Sequence, residues 1–200
     1  MPSAEPERPV FYYDLTSPEC WLAAEEVNAA LPVVPAWQPV DLPAVLALAG
    51  VAAGGLPADD PGRRAEVERR AATLGLLSVR WPAPFPSEGE TAMRVATFAQ
   101  GAGRVVAFSL AAFRQAFAAG RDLGDVDTLL LAAAACELHP RAVLKGVESR
   151  TVRERAQRAI EEAADRGVAA VPALRMGDEL FAGPSAVEDA ADRLSPRASA

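Results

Sequence analysis

Near its start the chain reads Val10-Phe11-Tyr12-Tyr13-Asp14-Leu15-Thr16-Ser17-Pro18-Glu19-Cys20-Trp21-Leu22-Ala23. The apolar beginning predicts a short buried strand. Ser17-Pro18 predicts the start of a helix, because proline fits the first helical turn. Ser17 should therefore lie where unpaired backbone N–H groups and the helix dipole favour a negative charge. Redox proteins place Cys-x-x-Cys at such a position, which lowers the pKa of a thiol there. In this chain the first position is Ser17, and only the second, Cys20, carries a thiol.

The composition indicates an ordinary globular protein and excludes several functional classes. The 200 residues are 50% hydrophobic and 24% charged, enough for one or two domains. A net charge of −7 disfavours nucleic-acid binding. Two distant cysteines and a single histidine predict no metal site. Because the sequence has no signal-peptide layout and no long apolar run, it predicts a cytoplasmic protein with reduced thiols and no membrane partner.

Strand-like segments occur only at the two ends of the chain. A strand over 9–15, a helix over 18–30 and a strand over 33–40 predict a parallel βαβ unit. The middle of the chain predicts only helices, over 42–49, 60–75, 89–101, 104–120, 124–137 and 148–166. A strand over 168–175, a turn at 176–178, a strand over 179–181 and a helix over 185–194 complete the predicted order. The predicted fold class is α/β.

Three motifs stand in a characteristic order and separation. They are Asp14-Leu15-Thr16-Ser17-Pro18-Glu19-Cys20-Trp21-Leu22-Ala23, then Glu66-Val67-Glu68-Arg69-Arg70-Ala71-Ala72-Thr73-Leu74-Gly75 with Pro84-Phe85-Pro86, and finally Gly167-Val168-Ala169-Ala170-Val171-Pro172 with Glu179-Leu180-Phe181-Ala182-Gly183. Together they resemble the DsbA-like thioredoxin superfamily, in the branch of 2-hydroxychromene-2-carboxylate isomerases and kappa-class glutathione transferases. The resemblance implies a thioredoxin-like fold with a large all-helical insertion. The thioredoxin-like domain would comprise 9–41 and 167–194, and the insertion 42–166.

The resemblance also implies a site. Ser17 is similar to the catalytic serine whose hydroxyl hydrogen-bonds the sulfur of glutathione, with Pro18 beside it. Val171 would offer its backbone to a peptide-like ligand, next to a cis Pro172. Ser185 stands where the family has an Asp that holds the amino group of glutathione. The simpler interpretations are a helix N-cap serine and a strand-edge proline.

Two further residues near Ser17 affect the chemistry. Cys20 is the second candidate catalytic residue, and a structural, partly buried thiol is the alternative. Glu19 stands where the resemblance implies an aromatic side chain. A carboxylate beside a bound thiolate would raise the pKa of that thiol and oppose its activation.

Three functional hypotheses follow. The first is an enzyme that uses glutathione or another low-molecular-weight thiol to isomerise, or add thiol to, a small aromatic or unsaturated organic substrate. Its apolar pocket would lie between the two parts of the fold, with Trp21, Trp37, Trp81 and Phe85 as candidate walls. The second is a DsbA-like thiol–disulfide oxidoreductase that works through an exposed Cys20. The third is a degenerate, non-catalytic binding module. A homodimer is compatible with the sequence, which does not decide it.

Overall fold

The computed structural model describes residues 8–51 and 59–194. The four strands in these ranges are β1 (Val10–Tyr13), β2 (Ala36–Pro39), β3 (Ala173–Met176) and β4 (Glu179–Ala182). The helices are α1 (Pro18–Ala30), α2 (Leu42–Leu48), α3 (Pro61–Thr73), α4 (Glu90–Gly101), α5 (Val105–Phe113), α6 (Val126–Ala134), α7 (Pro140–Val147), α8 (Arg150–Asp165) and α9 (Ala186–Leu194), and a π-helical turn, Arg114–Ala118, continues α5. None of these helices has both the length and the apolar composition that a bilayer span requires.

The strands form one mixed sheet in the order β2-β1-β3-β4. β1 pairs with β2 in parallel, as the predicted βαβ unit requires, and β3 pairs antiparallel with both β1 and β4. All four strands come from the two ends of the chain, and the described residues between 42 and 166 contribute none to the sheet. The predicted placement of the strands at the two ends of the chain, with helices between them, is therefore confirmed. The division into two domains stays a prediction.

One face of the sheet carries an aromatic cluster that joins it to the helical segment. Phe11 and Tyr13 stack at 5.4 Å between ring centroids, and Trp37 meets both rings edge-on. Tyr13 is fully buried, and its hydroxyl is 2.6 Å from Oγ of Ser109 on α5. This hydrogen bond satisfies two buried polar groups at once, which offsets the cost of desolvating them where β1 packs on α5.

The structure differs from the sequence prediction at three places. The strand predicted over 168–175 begins only at Ala173, because Pro172 has no N–H for the ladder. The strand predicted over 33–40 begins at Ala36, since Pro35 has no N–H to donate either. Helix α7 was not predicted. Its signals were His139 as N-cap, Pro140 at the first position, and the buried pair Val143 and Val147 one turn apart.

Packing of α4 against α7 requires a glycine at position 146. A Cβ built there would lie 2.2 Å from Cδ2 of Phe98. We expect Gly146→Ala to lower the free energy of unfolding by about 1–3 kcal/mol, because this overlap outweighs the better helix propensity of alanine. Urea unfolding monitored by circular dichroism measures the change.

Gly101→Ala is the matched control, because its Cβ would meet only the mobile end of the Arg155 side chain. The control should be close to neutral. Phe98→Ala combined with Gly146→Ala should cost less than the sum of the two single changes. An unchanged stability in Gly146→Ala would contradict this account of the α4–α7 contact.

Candidate active site

Ser17 lies at the N-cap of α1, as the sequence predicts. Its backbone is extended, and its Oγ accepts a hydrogen bond from the N–H of Cys20 at 3.3 Å. Its own N–H donates to the carbonyl of Asp14 at 3.1 Å, which closes the turn between β1 and α1. Pro18 occupies the first turn of the helix and is buried. The strand–turn–helix order of the sequence thus places the Ser17 hydroxyl, half-buried, at the positive end of α1.

The Ser17 side chain opens into a cleft of about 160 Å³. Its walls come from the β1–α1 turn, the starts of α2 and α3, the loop 85–89 and the residue before Pro172. Of the four aromatic residues predicted for a substrate pocket, only Phe85 is among the described lining residues. Trp21 and Trp37 are buried in the core, and Trp81 packs against Phe85 at 5.0 Å between ring centroids. The expectation that Trp21 and Trp37 line the substrate pocket is therefore wrong, because both side chains are packed in the buried core.

Val171 lies in this cleft together with Ser17. The Val171–Pro172 peptide is cis, as predicted. The carbonyl of Pro172 accepts a hydrogen bond from the N–H of Gly183 at 2.8 Å. The pairing of β3 with β4 begins at the next residue, Ala173. Within the described part of the chain, neither the N–H nor the carbonyl of Val171 has a hydrogen-bond partner. An extended peptide-like group can therefore pair with this backbone as an added strand would.

A buried carboxylate, Asp14, supports the floor of the cleft. Its Oδ1 accepts from the N–H and the hydroxyl of Thr16, at 2.8 and 2.7 Å, and its Oδ2 accepts from the N–H of Leu42 at 3.0 Å. The side chain therefore joins the β1–α1 turn to the start of α2. Burial raises the pKa of the Asp14 carboxyl, and the three hydrogen bonds offset that increase only in part.

Glu19 is not the free carboxylate that the sequence suggested. Arg63 of α3 donates from Nε to Oε1 at 2.6 Å and from Nη2 to Oε2 at 2.7 Å, a bidentate pair that is mostly shielded from solvent. The hydroxyl of Ser17 also donates to Oε2, at 3.0 Å. Burial by itself would raise the pKa of the Glu19 carboxyl, but the hydrogen bonds and charge of Arg63 outweigh it, so the pKa is lowered. The negative charge expected beside Ser17 is thus neutralised within the site.

Cys20 faces the protein interior. Its side chain is completely buried, and its Sγ accepts a long hydrogen bond from the N–H of Asp14 at 3.5 Å. Burial raises the pKa of the thiol well above its ordinary value, because the thiolate would lose its hydration. The expectation that Cys20 is an exposed catalytic nucleophile disagrees with this position. The structural alternative, a small buried side chain in the core, agrees with it.

The family model of the DSBA-like thioredoxin domain matches residues 10–195. The chain belongs to this family. The resemblance of the three sequence motifs to the DsbA-like thioredoxin superfamily is thereby confirmed, and with it the thioredoxin-like fold with helices inserted between its two parts. The branch within the superfamily stays a prediction. No curated protein matches the chain in sequence.

Solved structures are similar over most of the chain. A 2-hydroxychromene-2-carboxylate isomerase is 21% identical with a TM-score of 0.77, and the match covers 93% of this chain and 95% of that one. A probable DsbA oxidoreductase from Streptomyces coelicolor is 21% identical with a TM-score of 0.72, covering 94% and 88%. The cytosolic disulfide reductase DsbM from Pseudomonas aeruginosa, solved with GSH, is 15% identical with a TM-score of 0.57, covering 86% and 87%. At these identities the likeness shows the fold.

Within this DSBA-like fold, Ser185 does not join the other predicted site residues. It is exposed and lines a separate hollow of about 300 Å³ with Glu26, Arg70 and Glu188. Arg70 closes part of that hollow, donating to the carbonyl of Pro184 at 2.9 Å and to Glu188 at 3.2 Å. The structure therefore brings Ser17 and Val171 together at one cleft. Pro18 and Pro172 follow them in the sequence but are not among the described lining residues, and Ser185 also lies outside the described walls.

Two residues of the cleft were not recognised in the sequence. Arg63 lies 44 positions after its partner Glu19, and no local pattern connects them. Asp14 belongs to the opening motif, but its buried contact with Leu42 depends on how α2 packs. The available signal was Glu19 in the first turn of α1, since a helix N-terminus favours a negative charge there, but this signal does not identify Arg63 as its partner.

Proposed function

We propose that this protein is an enzyme that holds a low-molecular-weight thiol at Ser17 and uses it to isomerise, or transfer that thiol to, a small aromatic or unsaturated organic substrate. The supporting observation is that the Ser17 hydroxyl and the unpaired backbone of Val171 line the same cleft. A thiol that is part of a peptide-like molecule needs both groups: a hydroxyl to hydrogen-bond its sulfur, and a backbone N–H and carbonyl to pair with its amide.

Glutathione is the first thiol to consider, and the residues present fit its sulfur end and its peptide backbone. Ser17 would contact the sulfur, and the N–H and carbonyl of Val171 would pair with an amide of the bound molecule. When bound, such a thiol supplies a nucleophilic sulfur that adds to an electrophilic carbon and later leaves, so that one difficult step becomes two easier ones. Ser185 lies outside the described walls of the cleft and offers a neutral hydroxyl in place of a carboxylate for the amino group, so another thiol is an equal candidate.

The walls of the cleft favour a compact, partly apolar substrate. Leu42, Pro43, Phe85 and Pro86 present apolar surface, and a volume of about 160 Å³ accommodates the reacting ends of two small molecules rather than a large one. Phe85 is held from behind by Trp81 and Phe117, at 5.0 and 6.4 Å between ring centroids. These walls would exclude water from the reacting atoms and orient the substrate toward Ser17.

Burial of Cys20 argues against the disulfide-exchange alternative. A dithiol enzyme needs an accessible attacking thiolate, and position 17 holds a hydroxyl while the thiol at position 20 is completely buried. We therefore expect little turnover in an insulin-reduction assay. Turnover similar to that of a Cys-x-x-Cys enzyme, abolished by Cys20→Ser, would favour the oxidoreductase alternative instead.

Calorimetric titration with a panel of low-molecular-weight thiols, beginning with glutathione, tests the proposal. We expect one thiol to bind and to raise the melting temperature by mass action. Ser17→Ala should weaken its binding about three- to tenfold, which is the effect of one neutral hydrogen bond. Ser185→Ala is the matched control and should leave binding unchanged, because Ser185 lies outside the cleft.

Two results would contradict the proposed function. If no thiol of the panel binds, the non-catalytic binding module becomes the better hypothesis. If a thiol binds equally well to Ser17→Ala, the sulfur lies elsewhere and Ser17 is only a helix cap. Absorbance assays with unsaturated aromatic carbonyl compounds, with and without the bound thiol, then separate an enzyme from a binding protein.

A further inference from the structure

The hydrogen-bond donors at the start of α1 are already occupied by a side chain of this protein. The hydroxyl of Ser17 and Nη2 of Arg63 both donate to Oε2 of Glu19, at 3.0 and 2.7 Å, and Nε of Arg63 donates to Oε1 at 2.6 Å. The backbone N–H of Glu19 stabilises the same carboxylate. Glu19 is therefore an internal anion at the position where the helix dipole and these donors would otherwise hold an external one.

The hydrogen-bonding capacity of Ser17 is correspondingly reduced. A serine hydroxyl has one hydrogen to donate and two lone pairs that accept. Its hydrogen points to Glu19, and one lone pair receives the N–H of Cys20. Toward the cleft Ser17 therefore offers one lone pair, which suits a ligand atom that donates a hydrogen bond and repels an anion.

We infer that Glu19 sets the charge of the ligand atom that the site accepts. Glu19 is a positioning residue: while it holds Ser17 and Arg63, the site takes a hydrogen-bond donor such as a neutral thiol. A sulfur anion binds well only where the Glu19 carboxylate is displaced. This inference rests on the proposed function for the identity of the ligand, but the assignment of Ser17 and Arg63 as donors held by Glu19 stands on the geometry alone.

Removing the Glu19 carboxylate should convert the site into an anion site. Glu19→Leu frees the Ser17 hydrogen and leaves the Arg63 guanidinium without this partner. The Ser17 hydrogen would then be available to an anion in the cleft, close to the positive charge of Arg63, which lines the same cleft. Glu19→Gln removes the charge with little change of shape, and serves if the leucine variant fails to fold.

Glu25→Leu is the matched control. Glu25 is also on α1, is equally shielded, and makes a bidentate pair with Arg114 at 2.8 and 2.7 Å. It is not among the residues that line the Ser17 cleft. The control therefore removes the same charge from the same helix without freeing any donor of the cleft.

The experiment titrates the full chain with thiocyanate, a small sulfur-bearing anion with no thiol chemistry, by isothermal calorimetry. We expect Glu19→Leu to bind thiocyanate at least about tenfold more tightly than the wild-type protein and the Glu25→Leu control, since the Ser17 hydrogen becomes available and the negative charge beside it is removed. Adding Ser17→Ala to Glu19→Leu should remove much of that gain. Melting temperatures recorded in parallel detect a purely structural effect.

Three results would overturn the inference: wild-type binding as tight as that of Glu19→Leu, no gain in either Glu19 variant, or a gain that survives Ser17→Ala in full. A parallel titration with glutathione distinguishes a failure of this inference from a failure of the proposed function. If thiocyanate behaves as expected but no thiol binds the wild-type protein or Glu19→Leu, the role of Glu19 is supported and the thiol-dependent function is wrong.

Discussion

Asp14→Ala is expected to lower the free energy of unfolding by roughly 3 kcal/mol or more. The substitution leaves the N–H and hydroxyl of the partly buried Thr16 and the buried N–H of Leu42 without their acceptor. A fully buried unpaired donor costs about 1–3 kcal/mol, and the two donors of Thr16 add a smaller cost. Asp41→Ala is the matched control, because Asp41 caps α2 through one hydrogen bond, to the N–H of Ala44. It should cost only about 1 kcal/mol. Equal losses in both variants, measured by urea unfolding, would contradict the central position of Asp14.

Asp14 also makes the stability of the protein depend on pH, and the burial of its carboxyl determines the direction of that dependence. The pKa of Asp14 is raised in the folded state, so the folded protein binds a proton more readily than the unfolded chain. Its contribution to stability is therefore complete below the unfolded pKa, about 3.9, and is lost as the pH rises through the folded value. Asp14→Asn has no such titration. The wild-type protein should lose stability relative to Asp14→Asn as the pH rises across this interval, and a relative gain would contradict the assignment.

Phe117→Ala is expected to cost about 3–5 kcal/mol, the usual loss for a fully buried aromatic ring. Phe117 stacks on Trp21 of α1 at 5.9 Å between ring centroids and on Phe113 at 6.5 Å. It also meets Trp81 and Phe85 edge-on, both at 6.4 Å. The ring thus joins α1, the π-helical turn and the loop that forms one wall of the cleft.

Because Phe85 loses its support, Phe117→Ala should also weaken ligand binding in the cleft, although Phe117 is not one of its described lining residues. Phe181→Ala in β4 is the control. This ring is only partly buried and lies outside the described cleft walls, so the loss should be about 1–2 kcal/mol with binding unchanged. Chemical unfolding and calorimetry on the two variants measure both effects. A Phe117→Ala protein with wild-type binding would show that the wall holds without this ring.

The candidate site was predictable where a local signal and a family motif coincide. Ser17 as N-cap and Pro18 in the first helical turn follow from backbone geometry that only neighbouring residues control. The cis Val171–Pro172 bond followed from the closing motif. Ser185 was placed by a family motif alone, and it lines the hollow with Arg70 rather than the described walls of the Ser17 cleft. Its role at the site therefore stays a prediction.

The sequence by itself determined the strands at the two ends of the chain, the parallel βαβ unit and the helix start at Ser17. Each of these depends on hydrophobic periodicity, on capping or on proline, which act over a few residues. The family came from the resemblance of three motifs. Tertiary structure decided the burial of Cys20, the pairing of Glu19 with Arg63 and the three-donor contact of Asp14. These depend on which side chains from distant segments meet and on how much water remains between them, so desolvation and charge pairing, rather than local propensity, determine the chemistry at Ser17.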